Sequence, residues 1–138
     1  MAHLYGAEHV RRYRETDGEE GHDWRRGAPT LLLTTTGRRS GAEHTAPLIY
    51  QQDGASYVVV ASKGGADEPP DWYLNVQADP LVEVQVWGER FAARARTASD
   101  DEKARLWPVM TAVWPDYDAY QTRTERPIPL VILERVTT

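Results

Sequence analysis

Residues 29–61 read PTLLLTTTGRRSGAEHTAPLIYQQDGASYVVVA, and they predict the beginning of an antiparallel sheet. Three segments are rich in β-branched and apolar residues, and turn-forming residues separate them. The predicted strands are Thr30–Thr36, Thr45–Gln51 and Ser56–Ala61. Asp53–Gly54 is a strong hairpin signal between the second and third strands. Strands joined by such short turns pair antiparallel, because the chain reverses at each turn.

The residues after this stretch predict short helices between further strands. Asp71 is a plausible N-cap for a helix that ends at Ala78, and Ser99 with Glu102 forms a capping box that begins another. We expect Pro108 to kink or end that second helix. Three further strands and a helix that begins near Pro115 complete the prediction: Leu81–Trp87, Arg90–Ala98, Pro129–Val136. This order predicts an α+β fold, an antiparallel sheet or barrel with peripheral helices.

The first 28 residues differ from the rest of the chain. They are polar and charged, and Leu4, Tyr5, Val10 and Tyr13 stand at imperfect helical spacing, which predicts a short amphipathic helix. We therefore divide the 138 residues into an N-terminal helical or flexible segment, 1–28, and one folded domain, 29–138. Whether the segment packs on the core, covers a site or touches a partner stays open.

The composition excludes several classes of protein. The net charge of −5 argues against a nucleic-acid binder, and the absence of cysteine excludes disulfides and thiol chemistry. No apolar run is long enough for a membrane span, and the start lacks the apolar core of a signal peptide. We expect a cytoplasmic protein; peripheral contact of residues 1–28 with the inner face of the cell membrane remains an alternative.

Common motifs for nucleotide binding, nucleophilic catalysis and metal-dependent hydrolysis are also absent. The chain has no GxGxxG, GxxxxGK[ST], GxSxG or HExxH motif, and its four histidines lack zinc-like spacing, so we expect no metal site. This absence favours a borrowed cofactor. The segment from Arg25 to Lys63 contains five basic residues and only two acidic ones, and this local positive charge indicates a site for a small anion. The alternative is a solvated arginine-rich loop.

Two glycine-bearing loops are candidate anion sites. Gly37-Arg38-Arg39-Ser40-Gly41 offers convergent backbone amides and charge-assisted donors, which suit a phosphate. Ala61-Ser62-Lys63-Gly64-Gly65 follows a buried strand and permits close approach of a flat ligand, with Lys63 near its charge. Either loop alone could be an exposed turn.

Aromatic residues form two further clusters. Trp72 and Asn75 are three residues apart on a predicted helix, so both can flank a ring and its polar chain. Trp114, Tyr117 and Tyr120 are also spaced by threes and would form one aromatic column if helical. Such a column can line an acceptor pocket, although an aromatic stripe is more often part of a core.

Taken in order, four segments resemble the deazaflavin (F420)-dependent nitroreductases, also described as F420H2-dependent quinone reductases. The segments are TTTGRRSG, ASKGG, DWYLNVQADP and PDYDAYQTRTERPIP, and the resemblance extends from about Pro29 to the C-terminus. It implies a split β-barrel of the FMN-binding kind that binds coenzyme F420. It also implies hydride transfer from the reduced deazaflavin to a quinone such as menaquinone or to a nitroaromatic compound.

The resemblance also implies a role for individual residues. The phosphate and the anionic tail would be bound by Arg38, Arg39, Ser40, His44 and Lys63. The ring would be edged or supported by Pro47, Ala61, Ser62, Trp72 and Asn75, and the acceptor would face Tyr117 and Tyr120. Alternatives are an FMN enzyme on the same barrel, a non-catalytic cofactor-binding module, and an interaction domain without a ligand. We expect a monomer or a weak homodimer.

Overall fold

The computed structural model describes residues 4–136, which form six β-strands and four α-helices. The strands are β1 Thr30–Thr36, β2 Glu43–Asp53, β3 Ser56–Val60, β4 Leu81–Val86, β5 Glu89–Thr97 and β6 Leu130–Arg135. The helices are α1 Gly6–Glu15, α2 Asp71–Ala78, α3 Asp100–Val113 and α4 Asp116–Thr122. Within residues 4–136, no helix has the length and hydropathy needed to cross a membrane.

The strands close into a barrel in the order β1-β2-β3-β6-β5-β4, and every neighbouring pair is antiparallel. The helices lie outside it, so the predicted α+β split barrel with peripheral helices is confirmed. The hairpin signal is confirmed as well: Asp53 pairs with Ser56, which leaves Gly54 and Ala55 as a two-residue turn. Strand β2 joins the two sides of the barrel, because it pairs with β1 from Glu43 to Ile49 and with β3 from Tyr50 to Asp53.

The strands bury one face inside the barrel and the other beneath the helices. Leu31, Val59 and Leu133 are fully buried in the interior cluster. On the opposite face of the same sheet, Val58 and Ile132 belong to a second cluster, which also contains Leu106 and Met110 of α3. Successive side chains of a strand point to opposite faces, so the buried stretches Tyr57–Val60 of β3 and Leu130–Leu133 of β6 are apolar at every position.

Helix α1 confirms the predicted N-terminal helix, and it packs against β2. Its Tyr13 is fully buried; the Tyr13 hydroxyl donates to the carbonyl of Thr30 at 3.0 Å and accepts from the backbone N of Trp87 at 2.9 Å. Burial raises the pKa of Tyr13 to about 12. A buried phenol with both bonds satisfied fastens the N-terminal segment to the barrel.

Two helix boundaries differ from the prediction, and one is confirmed. Pro70, not Asp71, is the N-cap of α2, which begins one residue earlier than expected. Helix α3 continues past Pro108 to Val113, so the expectation that this proline ends the helix is wrong. Pro108 and Ala104 both lie on the exposed side, so water can bind the carbonyl that proline leaves without a partner. The capping box is confirmed, with Ser99 Oγ accepting from Glu102 N at 3.2 Å.

Candidate functional site

Two adjoining cavities share one wall, the indole of Trp72. We name them by their linings. The aromatic cavity, of about 400 Å³, has rings around it from Tyr5, His9, Trp24, Trp72, Trp114, Tyr117 and Tyr120. The arginine cavity, of about 360 Å³, is lined by Gly37, Arg38, Arg39, Ser40, His44, Trp72 and Asn75, among others. Of the predicted site residues, Ala61 alone lines neither.

A buried carboxamide anchors the wall of the arginine cavity. Asn75 Oδ1 accepts from the backbone N of Arg38 at 3.2 Å and from Arg38 Nη1 at 2.9 Å. Asn75 Nδ2 donates to Thr35 Oγ1 at 3.1 Å, so the bonds fasten the loop after β1 to helix α2. Arg38 Nη2 also lies 3.4 Å from Asp71 Oδ1, which orients the guanidinium at the cavity. Asn75 therefore acts on the loop and on Arg38.

The rest of the arginine loop is compact and open to solvent. Ser40 Oγ accepts from the backbone N of Ala42 at 3.1 Å, which closes the turn. A Cβ at Gly37 would lie 2.8 Å from His44 Nε2, so glycine allows the His44 ring to lie against the loop. Arg39 is exposed and forms no ion pair with any residue between 4 and 136. Its charge is available to an anion.

Arg126 holds the bend at Lys63–Gly65 through backbone carbonyls. Its Nη2 donates to the carbonyl of Ser62 at 2.9 Å and its Nε to that of Ala66 at 2.8 Å, and Arg123 Nη1 donates to the carbonyl of Gly64 at 3.2 Å. Arg126 had no predicted role. Its acceptors are backbone atoms some 60 residues away, and neither spacing nor composition indicates such bonds.

The bend directs two predicted residues into the aromatic cavity and keeps a third out. Ser62 and Lys63 line the aromatic cavity, whereas the predicted anionic-tail role grouped Lys63 with the arginine loop. Lys63 has φ 47°, in the left-handed region, and is exposed. Pro47, on β2, lines the same cavity. The side chain of Ala61 is fully buried in the barrel core.

The three aromatic residues near the C-terminus meet without sharing one helix. Trp114 follows the end of α3, whereas Tyr117 and Tyr120 lie in α4, so the predicted single helical column is wrong. Pro115 lacks a backbone N–H and separates the two helices. The rings still converge: those of Tyr117 and Tyr120 are edge-to-face at 6.0 Å, and Trp114 Nε1 donates to Tyr120 Oη at 3.3 Å.

These rings belong both to the core and to the cavity wall. Trp114 is 4% exposed and Tyr117 5%, and both pack in the cluster beneath α3 and α4. Burial raises the pKa of Tyr117 well above its usual range. Tyr117 is therefore a neutral phenol at physiological pH. The aromatic stripe is thus part of the core and also lines a cavity.

The N-terminal segment supplies a second wall, which the site prediction did not include. Trp24 stacks on Trp114 with ring centroids 5.5 Å apart. His9 lines the same cavity; its Nε2 lies 2.8 Å from the carbonyl of Gly21, and burial lowers its pKa. A carbonyl only accepts, so Nε2 carries the hydrogen in this bond. The amphipathic spacing of residues 4–13 was the available sequence signal.

The acidic and histidine side chains of residues 4–136 form no cluster of three that could hold a metal ion. The donors at the two cavities include guanidinium, ammonium, indole and phenol groups. Such groups suit an aromatic ligand with an anionic arm.

Comparison with known proteins identifies the family. A family model described as F420H(2)-dependent quinone reductase matches residues 5–135. The F420H(2)-dependent quinone reductase Rv1261c of Mycobacterium tuberculosis is 43% identical over 126 residues, 89% of this chain and 85% of that protein.

Two solved structures share the fold, with sequence identities above one third over the aligned residues. An F420-H2 dependent reductase (FDR-A) has 39% identity and a TM-score of 0.71, over 77% of this chain and 94% of the other. A domain-swapped dimer has 38% identity and a TM-score of 0.74, over 91% and 92%. The predicted resemblance, which began at about Pro29, thus extends to the N-terminal helix. The chain belongs to the F420H(2)-dependent quinone reductase family.

Proposed function

We propose that this protein binds coenzyme F420 across both cavities and uses the reduced form to reduce a quinone. One observation carries the proposal: two cavities of opposite chemistry meet at Trp72, one walled by aromatic rings and the other by cations. A deazaflavin has the same division, a flat ring joined to a phosphate-bearing anionic arm. The names of the relatives support the same coenzyme and acceptor.

The residues present fit this coenzyme. Arg38 and Arg39 donate hydrogen bonds to the phosphate, and His44 lies beside them at the same cavity. Trp72, 8% exposed and shared by both cavities, supports the ring where it continues into the arm. Pro47 and Ser62 lie along the ring edge. Lys63 lines the aromatic cavity, so we assign it to the negative charge of the ring or of the phosphate.

When bound, reduced F420 supplies a hydride, and this chain's residues orient the acceptor and exclude water. The rings of Trp114, Tyr117 and Tyr120 stack against a planar acceptor and hold it near the coenzyme. The Tyr120 hydroxyl is a donor for an acceptor oxygen. Arg126 fixes the bend that carries Ser62 and Lys63, so both keep their positions when ligands bind.

The acceptor class follows from the shape and chemistry of the aromatic cavity. Its walls are flat and apolar, with polar groups at Ser62, Lys63, Tyr117 and Tyr120. A quinone, a planar ring with carbonyl oxygens, suits such walls. A nitroaromatic compound has the same shape and also places oxygens at its rim, so we propose it as a second acceptor.

Calorimetry on the intact protein with oxidised F420 tests binding, and turnover with menadione tests the reaction. We expect saturable binding and then, with reduced F420, return of the deazaflavin absorbance on addition of menadione. Nitrofurazone in place of menadione tests the nitroaromatic acceptor. No affinity for F420 would overturn the proposal.

Two other results would favour the alternative functions. Binding without oxidation of reduced F420 by either acceptor would indicate a cofactor-binding module. A yellow protein as purified, with oxygen-reactive turnover, would indicate an FMN enzyme. Sedimentation of the same sample measures whether it is a monomer or a weak homodimer, as we expect.

A further inference from the structure

We propose that Trp114 is a positioning residue that fixes the Tyr120 hydroxyl as a hydrogen-bond donor to the acceptor. The inference rests on the proposed function, because it assigns the aromatic cavity to the acceptor. It concerns the direction of one hydrogen bond, and the atoms that define it are both in this chain.

The direction follows from the donor inventory of the two side chains. Indole Nε1–H can only donate, so Tyr120 Oη is the acceptor of the 3.3 Å bond from Trp114. A phenol has a single hydrogen, and with one lone pair engaged by Trp114 that hydrogen must point elsewhere. No residue between 4 and 136 accepts it. Tyr120 lines the aromatic cavity, so the hydrogen is directed to whatever occupies it.

The indole is held so that its N–H keeps this direction. One face of Trp114 stacks on Trp24, and the guanidinium of Arg26 lies over the Trp114 ring at 3.9 Å from its centroid. Arg26 Nη2 also pairs with Asp116 Oδ2 at 2.9 Å, at the beginning of α4. A ring that contacts both of these partners and is 4% exposed does not rotate freely. The hydrogen bond is therefore formed before any acceptor enters.

The consequence for the acceptor is a preference set by hydrogen-bond direction. A quinone carbonyl or nitro oxygen can accept from Tyr120, and negative charge builds on that oxygen as the acceptor is reduced. The bond from Trp114 polarises the phenol, which strengthens its donation. A tyrosine at position 114 would carry a hydroxyl that can donate or accept, so its hydrogen bond with Tyr120 could run in either direction. Tryptophan removes that freedom.

A double-mutant cycle tests the inference. W114F keeps a six-membered aromatic ring for stacking and removes the N–H donor together with part of the indole, and Y120F removes the acceptor of the bond. We expect W114F to lower kcat/KM for menadione about tenfold, with the Kd for F420 changed less than about twofold. In the Y120F background, W114F should have no further effect, because Trp114 acts through the hydroxyl. An equal W114F effect in both backgrounds would overturn the proposal.

An NMR measurement tests the bond without any ligand. Protein labelled with ¹⁵N-tryptophan shows five indole N–H signals, one for each tryptophan, and W114F identifies that of Trp114 by its loss. Y120F should move this signal upfield. Y117F is the matched control: its ring is 6.0 Å from that of Tyr120, and its hydroxyl has no bond to Trp114. If the chemical shift of the Trp114 indole N–H is the same in Y120F as in the wild type, the hydrogen bond is refuted.

The two tests separate failure of this inference from failure of the proposed function. If F420 does not bind, the proposed function fails and the role toward an acceptor falls with it, while the NMR result still decides the hydrogen bond. If F420 binds and menadione is reduced, but the cycle shows independent effects, only the role of Trp114 is overturned. Thermal unfolding of each variant confirms that it is folded.

Discussion

Asn75 binds Arg38 twice through a single oxygen. Its Oδ1 accepts from the Arg38 backbone N at 3.2 Å and from Arg38 Nη1 at 2.9 Å, and Asn75 itself is 3% exposed. A carboxamide at this place fixes both the loop and the direction of its guanidinium. The pair links the fold of α2 to the chemistry of the arginine cavity.

Replacing Asn75 by alanine should therefore weaken both folding and coenzyme binding. The change leaves Thr35 Oγ1 and the Arg38 backbone N without their partner, so we expect a loss of about 1–3 kcal/mol in the free energy of unfolding. With Arg38 no longer held, affinity for F420 should fall roughly tenfold. Urea unfolding and calorimetry measure the two effects. Q77A, at an exposed position of α2, is the control. If N75A and Q77A have the same free energy of unfolding and the same affinity for F420, Asn75 does not have this role.

Removing the charge of Arg39 should weaken F420 binding and make it less sensitive to salt. Arg39 is exposed and lines the arginine cavity, so its contribution is electrostatic and screened by ions. We expect R39A to lose roughly tenfold in affinity at low salt and less at high salt. Calorimetry at several ionic strengths checks this. R94A removes an exposed arginine from β5, outside both cavities, and equal losses in R39A and R94A would contradict the assignment.

The strands could be predicted because their apolar pattern is local. The predicted boundaries of the first and last strands nearly coincide with β1 and β6, since Gly and Pro mark the turns beside them. Closure of the barrel was harder. Pairing of β3 with β6 joins segments some 70 residues apart, and a single sequence carries no record of that register.

The site could be predicted in part for the same reason. Arg38 and Trp72 belong to motifs whose glycines and helix spacing are visible in the sequence. Arg126 is different, because it binds backbone carbonyls that any sequence could offer. The cavity wall formed by Tyr5 and Trp24 was also missed. The amphipathic spacing of residues 4–13 predicts a helix, but it does not predict the surface against which α1 packs through the buried Tyr13.

Adding a methyl group at Gly65 should separate the bend from α4. A Cβ there would clash with the backbone carbonyl O of Tyr120, and Gly65 has φ +83°. We expect G65A to lower the free energy of unfolding by about 2–4 kcal/mol and to reduce menadione turnover, because Tyr120 must move.

Gly64 provides a matched control for G65A. It also has positive φ, at +63°, but a Cβ there meets nothing within 4 Å. G64A should cost only the left-handed strain, about 1 kcal/mol. Equal unfolding energies of G64A and G65A by urea denaturation would show that the clash with Tyr120 is relieved without cost.

The burial of His9 should make the stability of the protein depend on pH just below neutrality. Burial lowers the pKa of His9 in the folded protein, whereas the pKa of a histidine in the unfolded chain is about 6.5. Above that pH both states hold His9 neutral, and its full contribution is present. As the pH falls, the unfolded state takes up the proton first, so the free energy of unfolding declines until the folded pKa is reached, by at most about 1.4 kcal/mol per pH unit.

Substitution of His9 by glutamine isolates this effect. The glutamine amide reaches the position of Nε2 and can still donate to the carbonyl of Gly21, but it does not titrate. We expect the free energy of unfolding of H9Q, measured in urea between pH 7.5 and 5, to fall less steeply than that of the wild type. Carboxylates contribute equally to both proteins, so the difference between the two curves reports His9. H44N, at an exposed histidine, should follow the wild type, and a wild-type curve parallel to that of H9Q would show that His9 is not held neutral by the fold.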